Sequence, residues 1–385
     1  MSDFVFETTP RIVCQAGGSA RLGEMARDLG MRRVFVVTDA GLLKAGVLQP
    51  ILAALAATGI DAVLFSDVLP DPPQDTVLAA VAAARAAGTD GVMGIGGGSS
   101  LDTAKLVALL GGAPQDIESI YGIGLAQGPR QKLIQVPTTA GTGSEVTPIA
   151  IVTTPTHEKK GVVSPLLYPD LALLDGRLTL GLPPAVTAMT GIDAMVHAIE
   201  AFTSRLKKNP VSDALALKAL QLLFGNVRNA VANGADENAR TAMLQGSLLA
   251  GMAFANAPVG AVHALAYPLG GHFGVPHGLS NSLVLLPVIA FNRPIADRPY
   301  SQLAEALFPE GERFRDASDG ADAFVAALRS LVADMPYPQR LRDVGVGRDD
   351  LPMLARDAMN VQRLLVNNPR DVTYDDALAI YESAY

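Results

Sequence analysis

Tryptophan is absent from the 385 residues, and cysteine appears once, at Cys14. A single thiol excludes an intramolecular disulfide and predicts a reducing, cytoplasmic setting; Cys14 itself reads as a small buried hydrophobe. Positive charge is scarce. The 30 Lys and Arg stand against 38 Asp and Glu, a net charge of -8, so nucleic acid and anionic membrane surfaces, which need clustered cations, are not expected as partners. No stretch reaches the roughly 18 unbroken apolar residues of a membrane helix; Ser282–Phe291 is too short. The start, Met1-Ser2-Asp3-Phe4, lacks the basic and apolar regions of a signal peptide. Low-complexity tracts and repeats of solenoid length are missing as well.

Apolar side chains are what the chain has in quantity: 49% of residues, against 18% charged. A sequence of this length exceeds what one hydrophobic core serves, so two domains are expected. The first half alternates β-type and helical runs. Val34–Asp39, Ala62–Phe65, Gly91–Ile95 and Lys132–Val136 read as strands, and Pro50–Thr58, Asp75–Ala87 and Ser100–Leu110 as helices. This rhythm predicts a mostly parallel sheet with helices on both faces. Phe4–Glu7 and Arg11–Gln15 read as an edge hairpin, and Glu145–Thr153 as a β-type insertion. Beyond Gly181-Leu182-Pro183-Pro184, which reads as a hinge or linker, the pattern is helical: Ala185–Phe202, Asp213–Val227, Glu237–Ala255, and the segments after Asn281. The expected domains are therefore an α/β domain over residues 1–180 and a helical domain over 181–385.

Two polar loops fall at strand ends in the first half. Gly94-Ile95-Gly96-Gly97-Gly98-Ser99 opens a helix, where glycines let a pyrophosphate approach and the helix N-terminus offers free N–H groups. A tight turn without ligand fits the same letters. Pro137-Thr138-Thr139-Ala140-Gly141-Thr142-Gly143-Ser144 reads as a second ligand loop. Asp39, at the end of the first strand, suits a ribose hydroxyl and repels a 2′-phosphate, favouring NAD over NADP; a helix cap or turn Asp is the bland alternative. Asp102 and Lys105 lie one turn inside the Gly-rich helix, and Lys105 reads as a solvated surface charge.

Only five histidines are present: His157, His197, His263, His272 and His277. Asp193 and His197 are spaced i, i+4 in a strongly helical, apolar stretch, so both point to one face. A hydrogen bond explains the pair, and so does a metal, which compensates a buried carboxylate directly. His263 and His277 flank a tract with no other charge. Gly270, Gly271, Gly274 and Pro276 are expected to bend it into a loop that lets the two histidines converge. Three histidines and one carboxylate suit Fe²⁺ or Zn²⁺ rather than Mg²⁺ or Ca²⁺.

Four ordered motifs, GGGSSLDTAK (96–105), PTTAGTGSEVT (137–147), DAMVHAIEAF (193–202) and HALAYPLGGHFGVPHG (263–278), resemble the iron-containing (group III) alcohol dehydrogenase family. The resemblance runs from about residue 5 to the end. It implies a Rossmann-like parallel-sheet domain joined to an all-α domain, the dehydroquinate synthase-like architecture, and a homodimer or larger assembly. Its metal ligands fall on Asp193, His197, His263 and His277. Its cofactor contacts fall on Asp39, Gly97, Gly98, Ser99, Thr138, Thr139, Thr142, Ser144 and Lys160, with Thr179 and Leu180 at the adenine end and Asp102 inside the Gly-rich helix. Asp71 stands where members often carry Asn. Tyr267 stands where many carry a further His associated with proton handling. Tyr267 and His272 join His263 and His277 as catalytic candidates, with His272 expected in the substrate pocket or on a loop. Ile149 and Phe254 are further pocket candidates. The implied reaction moves a hydride between NAD(H) and a small alcohol or aldehyde, with the metal polarising the substrate oxygen. Glycerol dehydrogenase-like polyol oxidation and non-enzymatic nucleotide or metal binding are the rival readings.

Overall fold

The computed structural model describes residues 3–156, 158–308 and 314–385. Two compact units emerge: Thr8–Gly181, and Met1–Glu7 with Leu182–Tyr385. In the first unit the strands are β1 (Ile12–Cys14), β2 (Arg33–Val37), β3 (Asp61–Phe65), β4 (Gly91–Gly96), β5 (Gly122–Ile123), β6 (Lys132–Pro137), β7 (Ile149–Thr153), β8 (Lys159–Val163) and β9 (Leu171–Leu174). The helices are α1 (Leu22–Asp28), α2 (Ala40–Lys44), α3 (Leu48–Ala57), α4 (Gln74–Ala87) and α5 (Gly98–Gly112). Six strands form one sheet in the order β1-β9-β6-β4-β2-β3, parallel at every pairing.

Side chains alternate between the sheet's faces, as the strand pleat requires. Val34 and Val36 of β2 join a core with Leu22, Leu48, Ile51 and Leu55 from α1 and α3. Phe35 and Val37 face the opposite way, toward Val77, Val81 and Leu106 from α4 and α5. Helices therefore cover both faces, as the β-α rhythm predicts.

Two local expectations fail. Phe4–Glu7 forms no strand, and β1 pairs in parallel with β9 rather than in a hairpin. Glu7 instead shares two hydrogen bonds with Asn256 of the helical unit. Cys14 is exposed rather than buried, because it ends an edge strand with a neighbour on one side only. The 145–153 insertion holds one strand, β7, which pairs antiparallel with β8 in a separate three-stranded sheet, β5-β8-β7.

The second unit is helical: α6 (Pro184–Thr203), α7 (Pro210–Ala232), α8 (Glu237–Asn256), α9 (Ala261–Phe273), α10 (His277–Leu307), α11 (Ala317–Ala333), α12 (Leu351–Ala358), α13 (Gln362–Leu365) and α14 (Tyr374–Ala384). By length and composition alone α10 is long and apolar enough to cross a membrane, although no unbroken apolar run marks it. It packs against α6, α9 and α11, and 61% of its apolar window is buried.

The Gly-rich stretch before His277 is not a loop. Gly270 and Gly271 continue α9, and the reversal is confined to Gly274–Pro276. Gly274 takes the left-handed conformation, φ 64°, that ends a helix without a Cβ penalty.

Candidate metal centre and cofactor loops

Helix α6 buries Asp193 and His197 on one face, one turn apart. His263 lies in the first turn of α9, and His277 is the first residue of α10. One ligand atom from each of these four residues lies within 4.8 Å of all the others. Asp193 Oδ1 is 3.8 Å from His263 Nε2 and 3.7 Å from His277 Nε2. These gaps exceed hydrogen bonds. They approach the edge, about 3.4 Å, of a tetrahedron whose metal–ligand arms are about 2.1 Å.

Asn281, one turn into α10, sharpens the test of fit. Its Nδ2 donates to Asp193 Oδ1 at 2.6 Å and lies 3.2 and 3.3 Å from Nε2 of His263 and His277. One amide has two hydrogens for the three atoms, one carboxylate oxygen and two ring nitrogens, that converge on it. A divalent cation answers all of them, so the donor set fits a metal. Burial alone would raise the Asp193 carboxyl. The facing His197, His277 and His263, with the Asn281 amide, instead hold it below the usual carboxylate range.

A second layer fixes the ligands. Glu200, one turn beyond His197, is buried. Its Oε2 lies 2.6 Å from His263 Nδ1, and its Oε1 accepts the Val262 N–H at 2.7 Å. A carboxylate there keeps the imidazole proton on Nδ1 and leaves Nε2 free as a ligand. Phe254 stacks on His197 at 4.3 Å, and the His197 and His263 rings stack at 4.6 Å.

Tyr267 stands beside this cluster, its ring 6.2 Å from that of His277. His272 is not brought to it. It ends α9, half exposed and 2.7 Å from Asp357, on a helix rather than a loop. His157 lies outside the described residues.

In the α/β unit, α5 opens directly behind β4 with no side-chain cap, leaving its first N–H groups free for an anion. The glycines differ in kind. A Cβ on Gly96, at φ +154°, would stand 2.6 Å from the Ser100 side chain, and one on Gly98 2.7 Å from Thr142. Gly97 meets only Thr139, at an ordinary 3.5 Å, so its freedom answers no crowding from the protein itself. Thr138 is buried and donates its N–H to Gly96 O.

Several other expected contacts are tied up internally. Asp39 caps α2 through Leu42 N–H. Asp102 accepts from Ser144 Oγ at 2.6 Å and from the Ile151 N–H at 2.9 Å. Asp71, at φ 48°, accepts from Lys159 Nζ at 2.7 Å, while its own N–H donates to Ser99 Oγ. Lys160 is on the surface beside Glu158. Thr179 bonds Gly176 O, and Leu180 ends the same short turn. Ile149 offers Lys105 its carbonyl.

Lys105 is not on the surface. It is fully buried, donating to Thr147 Oγ1 and Ile149 O, with Asp102 at 3.6 Å. Burial holds its ammonium below the usual lysine range against the pull of Asp102 and Glu145. Burial also pushes the Glu145 carboxyl up to about 7. Sequence reading missed Glu200, Glu145 and Asn281. Glu200, at i+3 from His197, and Asn281, at i+4 from His277, carried a positional signal; Glu145 carried none.

Residues 9–176 match the family "Iron-containing alcohol dehydrogenase", and residues 187–385 match "Fe-containing alcohol dehydrogenase family, C-terminal". The sulfoacetaldehyde reductase of Bilophila wadsworthia is 39% identical, covering 99% of both chains. A 1,3-propanediol oxidoreductase crystal structure superposes with TM-score 0.95 at 35% identity, covering 100% of both chains. The sulfoacetaldehyde reductase of Bifidobacterium kashiwanohense, solved with NAD+, gives TM-score 0.89 at 28% identity, covering 100% of this chain and 99% of that one.

Proposed function

The chain belongs to the iron-containing alcohol dehydrogenase family, and on that premise we propose that it is an NAD-dependent, metal-dependent oxidoreductase interconverting a small alcohol and its aldehyde. The observation that carries this reading is the four-ligand set of Asp193, His197, His263 and His277. These residues would hold Fe²⁺ or Zn²⁺, which supplies Lewis acidity toward a substrate oxygen.

In the direction of reduction, hydride adds to the carbonyl carbon, the C=O π pair moves onto oxygen, and a proton completes the hydroxyl. NADH supplies the hydride. Its pyrophosphate is assigned to the uncapped N-terminus of α5, with Gly97, Gly98 and Ser99. Thr138, Thr139, Thr142 and Ser144 form the second wall. Asp39 is given the ribose, Lys160 and Asp71 peripheral contacts, and Thr179 and Leu180 the adenine end. Asp102 acts by holding Ser144. His263 and His277 orient the reacting oxygen. Tyr267, beside His277, is a catalytic candidate to which no proton step is assigned, and His272 sits further out with Asp357.

We place the protein in the cytoplasm, as a homodimer or larger assembly, on the strength of its single cysteine and its family. The test is protein reconstituted anaerobically with Fe²⁺ or Zn²⁺ and assayed with NADH and aldehydes, or with NAD+ and alcohols including glycerol. NADH consumption with simple aldehydes is expected. Stoichiometric NAD and metal binding without turnover of any aldehyde or alcohol would overturn the reading.

A further inference from the structure

The metal centre is open on one side. The side chains of Asp193 and His263 are 3% and 4% exposed, while that of His277 is 30% exposed. The Tyr267 ring stands beside His277, 6.2 Å between centroids. Beyond Tyr267 comes Arg363, from the short helix α13. Its Nη2 donates to the Tyr267 hydroxyl at 3.3 Å, and its guanidinium carbon lies 5.8 Å from the ring centroid.

Among the described residues, no carboxylate lies within ion-pair distance of Arg363. Its nearer acidic neighbour in sequence, Asp357, is taken by His272 at 2.7 Å. Elsewhere in the helical unit Arg205 is paired with Asp371, Arg228 with Asp334, and Arg293 with Asp297 and Asp322, while Arg240 and Arg370 bond to carbonyls and a hydroxyl. What sets Arg363 apart is its place on Tyr267, beside His277. Arg363 is thus a permanent cation whose fork is steadied by a phenol next to the most open metal ligand.

We propose that Arg363 selects the substrate: it receives the anionic end of a small aldehyde or alcohol that carries a carboxylate or sulfonate a few bonds from the reacting carbon. The inference rests on reading the metal centre as the place where the substrate oxygen binds. A guanidinium suits the task because it cannot lose its charge and can meet two oxygens of an oxyanion at once. Tyr267 serves as its positioning residue, holding the guanidinium over the ring face.

The test uses the metal-reconstituted enzyme with NADH and two matched pairs, sulfoacetaldehyde against acetaldehyde and succinic semialdehyde against butanal. Wild-type enzyme is expected to favour the anionic member of at least one pair, and the pair that shows it distinguishes sulfonate from carboxylate. Arg363→Gln should lower the anionic-to-neutral ratio of kcat/KM by about 10- to 100-fold, the worth of a charge-assisted hydrogen bond, mostly through KM. Arg363→Lys should recover part of the ratio. The anionic KM should rise with salt in the wild type and lose that dependence in Arg363→Gln. An unchanged ratio in folded Arg363→Gln, or no anionic preference in a wild type that reduces the neutral aldehydes, would overturn the inference and leave the dehydrogenase reading standing. Failure to reduce either class would overturn both.

Discussion

The two units bury charge in opposite ways. In the α/β unit, buried ionic groups answer one another: Lys105 sits among Asp102, Thr147 and the Ile149 carbonyl, and the nearly buried Lys159 side chain pairs with Asp71. In the helical unit, one carboxylate and several imidazoles crowd together: Asp193 Oδ1 and the Nε2 atoms of His263 and His277 converge on one asparagine amide. The first arrangement is closed and holds a loop in shape. The second is a donor set that fits a divalent cation. A buried charge therefore signals a binding site only when its neighbours share its need.

The largest effect should come from breaking the open cluster. His263→Ala removes one of four ligands and leaves Glu200 facing a gap. Metal content measured by elemental analysis should fall to background, and kcat/KM should drop by about 10³-fold or more. Full metal content in the variant would refute the four-ligand assignment.

Breaking the closed cluster should do something else. Lys105→Met strands Asp102 and Glu145 without their cation, and removing one partner of a buried pair costs about 3 kcal/mol or more. Urea denaturation should show that loss while the metal affinity of the folded protein stays the same. A variant of undiminished stability but sharply raised KM for NADH would mean that Lys105 serves the cofactor rather than the fold.

A milder change probes the layer behind the metal ligands. Glu200→Gln keeps the shape and a hydrogen-bond partner for His263 but removes the charge that fixes its tautomer. Zn²⁺ affinity from a chelator competition should weaken by about 10- to 100-fold, with circular dichroism unchanged. Wild-type affinity would reduce Glu200 to a packing role.

The same contrast explains what the sequence made legible. The parallel sheet was readable because strand and helix periods alternate cleanly from Val34 to Val136. The candidate metal cluster was readable because histidine is rare here and because Asp193 and His197 share a helix face. The resemblance then separated His263 and His277 from His272. Lys105 was misread because a lysine in a helix is ordinarily solvated, and nothing local announces that Thr147 and the Ile149 carbonyl, more than forty residues on, enclose it. Gly270 and Gly271 were misread as loop formers because helix packing around α9 overrides their weak propensity. Arg363 had no signature at all, since its meaning depends on Tyr267, 96 residues earlier in the chain.

The effect that is smallest at any one pH step is also the one that isolates the closed cluster most cleanly. Glu145 Oε1 has no hydrogen-bond partner among the described residues, and burial raises this carboxyl from 4.5 to about 7. The folded state therefore holds the proton more tightly than the unfolded state does. Below about pH 4.5 both states carry it. Between there and about pH 7 only the folded state does, so stability falls as pH rises through that window, by at most about 1.4 kcal/mol per unit, and levels off above it. Glutamine mimics the protonated form without titrating. Glu145→Gln should therefore flatten the wild-type decline in unfolding free energy between pH 5 and pH 7 and, at neutral pH, match or exceed the wild type in stability. Persistence of the full decline in Glu145→Gln would move its source to another group. Its loss, with metal affinity untouched, would show that the charge balance of the loop-bearing cluster is set independently of the metal centre.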